Sequence, residues 1–424
     1  MVRPETVALQ RQAEADELVS ALQTPEPMAD PYPVYARLRE LSPVHKTASG
    51  QVYLTRYDDC AALMRDPGLR AQSAEWLDRV RPGWREHPGL RVTAESFLFR
   101  DPPEHTRLRR LVSGAFTQRR AEQLRAHITR LTDRALDAVA DACSDSGTAD
   151  LHEVLAASLP ISVIGKVLGV PEADQPLLRE PLEGLRLAVD GAASAANLGI
   201  IDRAATALLG YFADLVAERR RAPCDDLASA LVAIRDSADS HAPGEGGGLT
   251  EEEVLQTLTL IFSAAIESMV DLLLNGTAAL LTHPAQAMAL REDAALAGGA
   301  VEEALRFDAP VQAMGRVPAA DATIGGVPVP ADSLVIALLG AANRDPARFT
   351  APDRFDISRT GPAVLSFGGG IHFCLGAALA RLQAGVFFPA LVNRFPTMQL
   401  ASPPVRRGVV LRGFAEFLVC ARRP

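Results

Sequence analysis

One segment of the sequence predicts a helix long enough to cross a whole globular domain. It covers residues 250–281, starts with a threonine that fits an N-cap, has Glu253 three positions later as in a capping box, and is followed by Pro284. At 1.5 Å per residue, about 30 residues span roughly 45 Å. Most faces of the segment are apolar, which favours a helix that runs through a core. A membrane span is the alternative, and Glu267 and Asp271 near the middle argue against it because acids in lipid are costly.

Polar residues recur at every fourth position along one face of this helix, namely Ser263, Glu267, Asp271 and Asn275. One interpretation is a narrow stripe that is exposed to water. The other is that a carboxylate and hydroxyl groups lie inside the core, where they need water or a ligand to satisfy them. The helix alone does not decide between the two.

Composition narrows both the fold and the class of function. Of the 424 residues, 48% are hydrophobic and 22% are charged, which is typical of a folded globular chain. Aromatic residues make up only 5%, and apolar residues recur at helical spacing between residues 103 and 235, so long helices are favoured. Short extended runs within residues 51–57 and 322–337 predict small β-sheets beside the helices. The net charge of −9 argues against general nucleic-acid binding, which needs a basic face.

The N-terminal segment and the cysteines favour a reduced, cytoplasmic setting. Residues 1–25 contain an early proline and no uninterrupted apolar stretch, so we expect a loosely ordered segment with no signal peptide or membrane anchor. The five cysteines lie far apart and include no CxxC pair. This spacing argues against a disulfide framework and against a zinc site.

The most informative segment is a glycine-rich turn, residues 366–376, which contains Cys374 and precedes a helical run. Its glycines allow positive φ angles and a close approach to a flat ligand. A thiolate at the start of a helix meets backbone N–H groups and the positive end of the helix dipole, which stabilise its charge as a metal ligand. A phosphate-binding loop is also glycine-rich, but the Lys-Ser/Thr of that motif is absent. For a single cysteine taken alone, a buried structural role is the common alternative.

The string Phe367-x-x-Gly370-x-x-x-Cys374-x-Gly376, with His372 inside it, resembles the cysteine-ligand loop of the cytochrome P-450 haem-thiolate monooxygenases. Further segments follow in the family's order, so the resemblance covers nearly the whole chain. It implies a mainly α fold with small β-sheets (α+β), in which a long central helix lies over a buried haem b. It also implies a single haem domain over residues 1–424, with Cys374 as the iron ligand and Phe367, Gly370 and Gly376 in the haem-binding loop.

An ion network behind the haem is a second element of the resemblance. Glu303-Ala-Leu-Arg306 resembles the family's ExxR pair, and Arg354 is expected to complete the network. Taken alone, two residues three apart on a helix are also typical of an ordinary surface ion pair.

Contacts to the haem propionates are a third element. His105 and Arg109 resemble the pair that reaches one propionate, and their spacing of four places both on one helix face. Arg316 and His372 match positions that contact the other propionate. A solvated basic face would give the same spacing for the first pair.

The middle of the long helix matches the family's signature over the distal haem face. The resemblance places Ala264 and Ala265 against the haem and assigns a proton relay through water to Glu267 and Ser268. Ser268 stands where threonine is usual and keeps the hydroxyl, whereas Ala265 replaces a glycine and Met269 replaces a second threonine. The acid and hydroxyl are therefore retained in an altered oxygen pocket.

Substrate and electron donors follow from the same resemblance. By position, substrate contacts are expected from Ile266, Val311, Met314 and Phe414. The chain carries no flavin or iron–sulfur motif, so electrons are expected from NAD(P)H through an external ferredoxin and its reductase. A basic dock for the ferredoxin is predicted at Arg107, Arg110, Arg119 and Arg120, with ordinary solvation of these arginines as the alternative.

The predicted function is that of a cytoplasmic monooxygenase that hydroxylates a C–H bond of a small organic substrate in antibiotic or polyketide macrolide biosynthesis. The chain is expected to act as a monomer, without nucleic acid or membrane, and an acyl or peptidyl carrier protein is a further candidate partner. Two alternatives stay open. The same site could carry out epoxidation, oxidative coupling or peroxide-driven oxidation, or the chain could be a non-catalytic haem-binding recruitment module.

Overall fold

The structure is a computed structural model that describes residues 4–22, 24, 29–156, 158–190, 195–237 and 248–421. Helices predominate, which confirms the predicted class. In chain order the helices are α1 (Pro4–Ala21), α2 (Tyr32–Leu41), α3 (Tyr57–Arg65), α4 (Ala74–Val80), α5 (Pro88–Ala94), α6 (Glu104–Ser113), α7 (Gln118–Gln123), α8 (Arg125–Ser146), α9 (Leu151–Ala156), α10 (Leu159–Leu168), α11 (Arg179–Val189), α12 (Ala195–Arg221), α13 (Leu227–Asp236), α14 (Glu251–Thr282), α15 (Pro284–Glu292), α16 (Ala297–Phe307), α17 (Leu339–Ala342) and α18 (Ala377–Arg394).

Short strands make up the predicted small sheets. They are β1 (Val44–Lys46), β2 (Val52–Leu54), β3 (Leu69–Arg70), β4 (Ala149–Asp150), β5 (Ala313–Pro318), β6 (Ala322–Ile324), β7 (Val327–Val329), β8 (Val335–Leu338), β9 (Gln399–Leu400), β10 (Val405–Arg407), β11 (Gly413–Glu416) and β12 (Leu418–Cys420). The contacts of the chain divide it into two compact units. The first comprises Met1–Ala71, Asp271–Cys374 and Leu391–Pro424, and the second comprises Gln72–Val270 and Leu375–Ala390.

The first unit is built on a five-stranded sheet with the strand order β1-β2-β8-β5-β3. Strands β2 and β8 run parallel, and the other neighbours run antiparallel. Val52, Leu54 and Val335 are fully buried and pack with Leu63 of α3 in one apolar cluster. The antiparallel hairpin β10–β11 belongs to the same unit and pairs Arg406 with Phe414.

The N-terminal segment differs from the expected loosely ordered 1–25. Residues 4–21 form α1, because Ala15 and Val19 are buried in an apolar cluster that also contains Tyr35 and Leu38 of α2. This packing supplies the stability that the polar composition alone does not indicate. Residues 1–3, 23 and 25 lie outside the described part of the chain.

The second unit is helical over most of its length. Ile128, Leu131 and Leu136 recur at the predicted helical spacing on α8, and each is at most 2% exposed. Their common face therefore packs into the core of this unit.

Helix α14 confirms the predicted long helix and its start. The backbone N–H of Glu253 donates to Thr250 Oγ1 at 3.1 Å, and the N–H of Thr250 donates to Glu253 Oε2 at 3.0 Å, which is a capping box. Within the described residues, α14 and Leu151–Leu168 have the length and apolar composition of a membrane span. In α14, however, 78% of the most apolar window is buried inside the protein, as is typical of a core helix.

Candidate active site

The loop before α18 presents Cys374 at the surface of the first unit. The backbone N–H of Cys374 donates to the carbonyl of Phe367 at 2.9 Å, which closes the loop, and the side chain of Cys374 is exposed. Gly370 has a φ of +63°, and a Cβ at this position would lie 2.2 Å from the carbonyl oxygen of Met64. Only glycine fits both conditions, so the glycine fixes the course of the loop.

Helix α18 starts three residues after the cysteine. The N–H of Ala380 donates to the carbonyl of Gly376 at 2.9 Å, so the helical hydrogen bonding already includes this glycine. A Cβ on Gly376 would meet nothing within 4 Å, which leaves open space beside the helix start. The positive end of α18 therefore follows the thiol directly in the chain, as the sequence predicts.

Each unit buries residues that can carry positive charge at the predicted propionate positions. In the first unit, Arg316 on β5 is 6% exposed and His372 is 7% exposed. In the second unit, α6 carries His105, which is 2% exposed, and the half-buried Arg109 one turn later. Buried groups of this kind suit ligands with carboxylates, because water does not compete for the charge.

The middle of α14 presents small side chains on an otherwise buried helix. Ala264 is exposed and Ala265 is half-buried, although Phe262 is 0% and Ile266 is 2% exposed. The hydroxyl of Ser268 donates to the carbonyl of Ala264 at 2.7 Å. Open space thus adjoins the helix at the positions that the family signature predicts.

The acid of the predicted relay is buried beside a cation that the sequence analysis did not single out. Glu267 Oε2 lies 3.8 Å from Nε of Arg186 on α11, and both side chains are 9% exposed. Asp190 Oδ2 lies 3.6 Å from Nη1 of the same arginine. The sequence signals for this cluster are the spacing of three between Glu183 and Arg186 and of four between Arg186 and Asp190 at the end of α11, and such pairs are common.

The rest of the polar line on α14 is not a stripe exposed to water. Asp271 is 0% exposed and Asn275 is 1% exposed, so the solvated interpretation is wrong for both. Asp271 lies 3.6 Å from Nη2 of Arg407 on β10. The C-terminal hairpin, not solvent, therefore covers this face of α14.

The predicted ion network forms, but with a different third member. Glu303 accepts two hydrogen bonds of 2.8 Å from Arg306, and both side chains are at most 2% exposed. Nε of Arg359 lies 3.1 Å from Glu303 Oε2. The prediction of Arg354 was wrong: its side chain is 68% exposed and lies near Asp356, and only its backbone carbonyl accepts from Arg306.

The predicted substrate contacts separate into two kinds. Val311 and Met314 are half-buried in the first unit, and Ile266 is buried on α14. Phe414 is 1% exposed, because the guanidinium of Arg406 lies 3.8 Å from its ring centroid and Phe417 packs on it at 4.8 Å.

Phe414 and Ile266 are both buried, so their predicted contacts with substrate stay predictions. The turn of the same hairpin, residues 408–412, contacts the predicted substrate segment at Val311 and Gln312. Leu411 forms a β-bridge with Val311, and the N–H of Gln312 donates to the carbonyl of Val410 at 2.9 Å. The sequence gives no signal for this pairing, since the two segments are about 100 residues apart and neither has a distinctive motif.

Of the four arginines in the predicted ferredoxin dock, Arg107 is not available for a partner protein. Arg107 is bound to the carboxylate of Glu253 and donates to the carbonyl of Gly248 at 3.2 Å, so its charge is used inside the second unit. Arg110, Arg119 and Arg120 are exposed.

Each unit carries side chains whose chemistry suits a haem with a thiolate ligand. Cys374 is an accessible thiol on a loop that glycine shapes for a flat group, and a helix starts just after it. The buried His105, Arg316 and His372 suit propionates, and the small side chains of Ala264 and Ala265 on α14 suit a planar ring. The chemistry of this donor set is that of haem-thiolate proteins.

Comparison with known proteins agrees with this fit. The family model for Cytochrome P450 matches residues 198–406. The chain is 40% identical to the cytochrome P450 monooxygenase PikC of Streptomyces venezuelae over 381 residues, which are 89% of this chain and 86% of PikC. It is 36% identical to the 6-deoxyerythronolide B hydroxylase of Saccharopolyspora erythraea over 405 residues, 91% of this chain and 94% of the relative.

Solved structures show the same likeness. The P450BioI structure, in complex with acyl carrier protein ligated to hexadec-9Z-enoic acid, has a TM-score of 0.84 and 34% identity, covering 93% of this chain and 99% of P450BioI. Fold and site thus define a haem-thiolate oxygenase. The chain belongs to the cytochrome P450 family and is a cytochrome P450 monooxygenase, with haem iron as the cofactor that the family implies.

Proposed function

We propose that this monooxygenase hydroxylates a C–H bond of a small organic substrate in the biosynthesis of an antibiotic, with a polyketide macrolide as the first substrate class to test. The observation that carries the proposal is the accessible Cys374 thiol on its glycine-shaped loop before α18. The likeness to PikC and to the 6-deoxyerythronolide B hydroxylase supports the substrate class.

Haem b, when bound through Cys374, supplies oxygen activation, which the electron-rich thiolate favours. The loop residues Phe367, Gly370 and Gly376 shape the binding surface, while His105, Arg109, Arg316 and His372 hold the propionates. The small side chains of Ala264 and Ala265 leave room for dioxygen and substrate.

Proton delivery is the proposed role of Glu267 and Ser268. A carboxylate that exchanges protons with water and a hydroxyl one residue later form a short relay. The hydroxyl of Ser268 donates to the carbonyl of Ala264 in the structure, so its lone pairs can accept a hydrogen bond from a water molecule of the relay.

Electrons are proposed to come from NAD(P)H through an external ferredoxin and its reductase. Arg110, Arg119 and Arg120 are exposed and would attract an acidic partner, although the chain as a whole is negative. A substrate tethered to an acyl or peptidyl carrier protein is supported by the likeness to P450BioI, which was solved with a fatty acid ligated to its acyl carrier protein. We further propose that residues 1–424 act as one haem domain, as a monomer and in the cytoplasm.

The first experiment is the absorption spectrum of the reduced protein under carbon monoxide. We expect the far-red-shifted Soret band of thiolate-ligated haem in the wild type and its loss in Cys374→Ser. The matched control is Cys224→Ser, since Cys224 is also exposed and belongs to no predicted site. A wild type that binds no haem, or a Cys374→Ser variant that keeps the band, would overturn the proposal.

Substrate and proton delivery are tested next with a surrogate ferredoxin and a panel of macrolactones. We expect one hydroxylated product, and Glu267→Gln and Ser268→Ala are expected to lower the product formed per NAD(P)H consumed while keeping the Soret band. Conversion of alkenes or phenols alone, with no hydroxylated macrolactone, would favour the epoxidation or coupling alternative.

A further inference from the structure

Asn275 and Asp271 have no part in the proposed chemistry, although both are buried polar residues on one face of α14. Their exposures are 1% and 0%. Burying an amide or a carboxylate is costly unless its atoms are bonded, so their partners indicate what they do.

The amide of Asn275 makes three hydrogen bonds within the first unit. Its Nδ2 donates to the carbonyls of Asp308 at 3.1 Å and of Arg412 at 2.9 Å. Its Oδ1 accepts from Nη1 of Arg406 at 2.8 Å. The two donors and the acceptor each face the matching group, so the orientation of the amide is fixed by its surroundings.

The same two arginines also bind the carboxylate of Asp308. Arg406 Nη2 lies 2.6 Å from Oδ2, and Arg412 Nε lies 2.8 Å from Oδ1. Arg406 lies on β10 and Arg412 immediately precedes β11. Asn275 and Asp308 therefore hold both sides of the hairpin turn, residues 408–412.

Helix α14 and the hairpin are in close contact at this point. A Cβ on Gly413 would lie 1.7 Å from Asp271 Oδ1, so β11 packs directly on the helix where only glycine fits. The hairpin turn, residues 408–412, contacts the segment around Val311 that is expected to bind substrate. The N–H of Arg412 donates to the carbonyl of Pro310 at 2.7 Å, and Leu411 bridges Val311.

We infer that Asn275 is a positioning residue for substrate selection: through the carbonyl of Arg412 and the guanidinium of Arg406, it fixes the turn that carries Val410 and Leu411 beside Val311. This inference rests on the proposed function, because Val311 is expected to face the substrate. The hairpin turn would then be a part of the pocket wall whose place is set by the central helix as well as by its own strand pairing.

The test is the variant Asn275→Asp, which keeps the shape of the side chain and removes both N–H donors. The new carboxylate would also face two carbonyl oxygens, so the turn is expected to loosen. We expect amide hydrogens of residues 408–412 to exchange about tenfold faster, as the loss of two buried hydrogen bonds would allow. A second variant, Arg406→Lys, removes the planar guanidinium that binds Asn275 through Nη1 and Asp308 through Nη2. It is also expected to speed amide exchange in residues 408–412.

The functional measurement is the affinity of two haem ligands of different size, read from the shift of the Soret band. Econazole carries bulky chlorinated aryl groups in addition to its imidazole ring, whereas imidazole itself is small. We expect Asn275→Asp to weaken econazole binding about tenfold and to leave imidazole within about twofold. The matched control is Thr277→Ala, because Thr277 is 0% exposed on the same helix and donates only to Leu273 within it, at 2.7 Å.

The outcomes separate the inference from the proposed function. Unchanged exchange in residues 408–412 would overturn the inference, and so would an equal change for econazole and imidazole or the same selectivity change in Thr277→Ala. A wild-type protein without the thiolate Soret band would overturn the proposed function, and the inference with it, and is recognised before any variant is made.

Discussion

Nε of Arg359 lies 3.1 Å from Glu303 Oε2, and the side chain of that arginine is 14% exposed. Arg306 occupies the other side of the same carboxylate. Glu303 therefore has two buried or nearly buried cations as partners, and each compensates part of the cost of burying its charge.

Arg359→Ala should destabilise the protein strongly, and Arg354→Ala should not. Removing one partner of a buried carboxylate costs about 3 kcal/mol, whereas a side chain that is 68% exposed and 3.8 Å from Asp356 contributes less than about 1 kcal/mol. The measurement is the thermal unfolding midpoint together with the yield of haem-loaded protein. Equal losses in the two variants would show that Arg354 takes part after all.

Arg186→Gln should remove one cation that compensates the buried charge of Glu267. We expect a loss of about 3 kcal/mol in unfolding free energy, and partial recovery when Glu267→Gln is added. Urea unfolding of the two single variants and the double variant measures this coupling. Arg179→Gln is the control, because Arg179 starts the same helix and its pair with Glu153 is exposed. Strictly additive losses would mean that the two side chains do not interact.

The stability of the protein should fall in acid partly through Asp308. Burial raises the pKa of this carboxyl, but the charges of Arg406 and Arg412 outweigh burial and hold its pKa well below the usual range. A depressed pKa stabilises the fold fully above the unfolded value, about 3.9, and this contribution is lost as the pH falls from there toward the folded value.

The check is the thermal unfolding midpoint of wild type and Asp308→Asn between about pH 3 and pH 7. Asp308→Asn should be less stable at neutral pH, because two arginines lose their counter-ion, and its midpoint should fall less steeply below about pH 4. Parallel curves for the two proteins would exclude Asp308 as a source of acid sensitivity.

Gly370→Ala should disrupt the cysteine loop. Its φ of +63° and the 2.2 Å approach to Met64 leave no place for a methyl group, so we expect a loss of about 2 kcal/mol or more and weak haem loading. Gly385→Ala on α18 is the control, since its Cβ would also meet nothing within 4 Å and Gly385 belongs to no predicted site, and its stability should change by less than about 1 kcal/mol. The unfolding midpoint and haem content of both variants test this contrast.

Local patterns of the sequence predicted what depends on neighbours in the chain. The capping box at Thr250, the cysteine loop and the Glu303–Arg306 pair each lie within a few residues, so spacing alone defines their geometry. The mainly helical class also follows from local periodicity. These parts of the fold and of the site could therefore be predicted from the sequence alone.

Contacts between segments that are distant in the chain could not be predicted from local sequence patterns. The motif around Arg354 identified the right segment, but the chain turns so that the backbone of Arg354 and the side chain of Arg359 face the network. Likewise, the family position pointed to the C-terminal hairpin, yet Phe414 points into the protein while Leu411 meets Val311. Which face of the sheet a strand side chain lies on depends on the pairing register, and the pattern of a single sequence does not define that register.

The hydroxyl of Ser268 donates its one hydrogen bond to the carbonyl of Ala264 at 2.7 Å. To donate elsewhere the hydrogen must turn about the Cβ–Oγ bond, and to move its oxygen the side chain must turn about the Cα–Cβ bond. A threonine carries a methyl group that restricts this rotation, whereas serine has no second substituent to hold it. At this position serine changes its χ1 rotamer more readily than the family's usual threonine, so in the proposed relay the backbone carbonyl of Ala264, and not a second substituent, orients the hydroxyl.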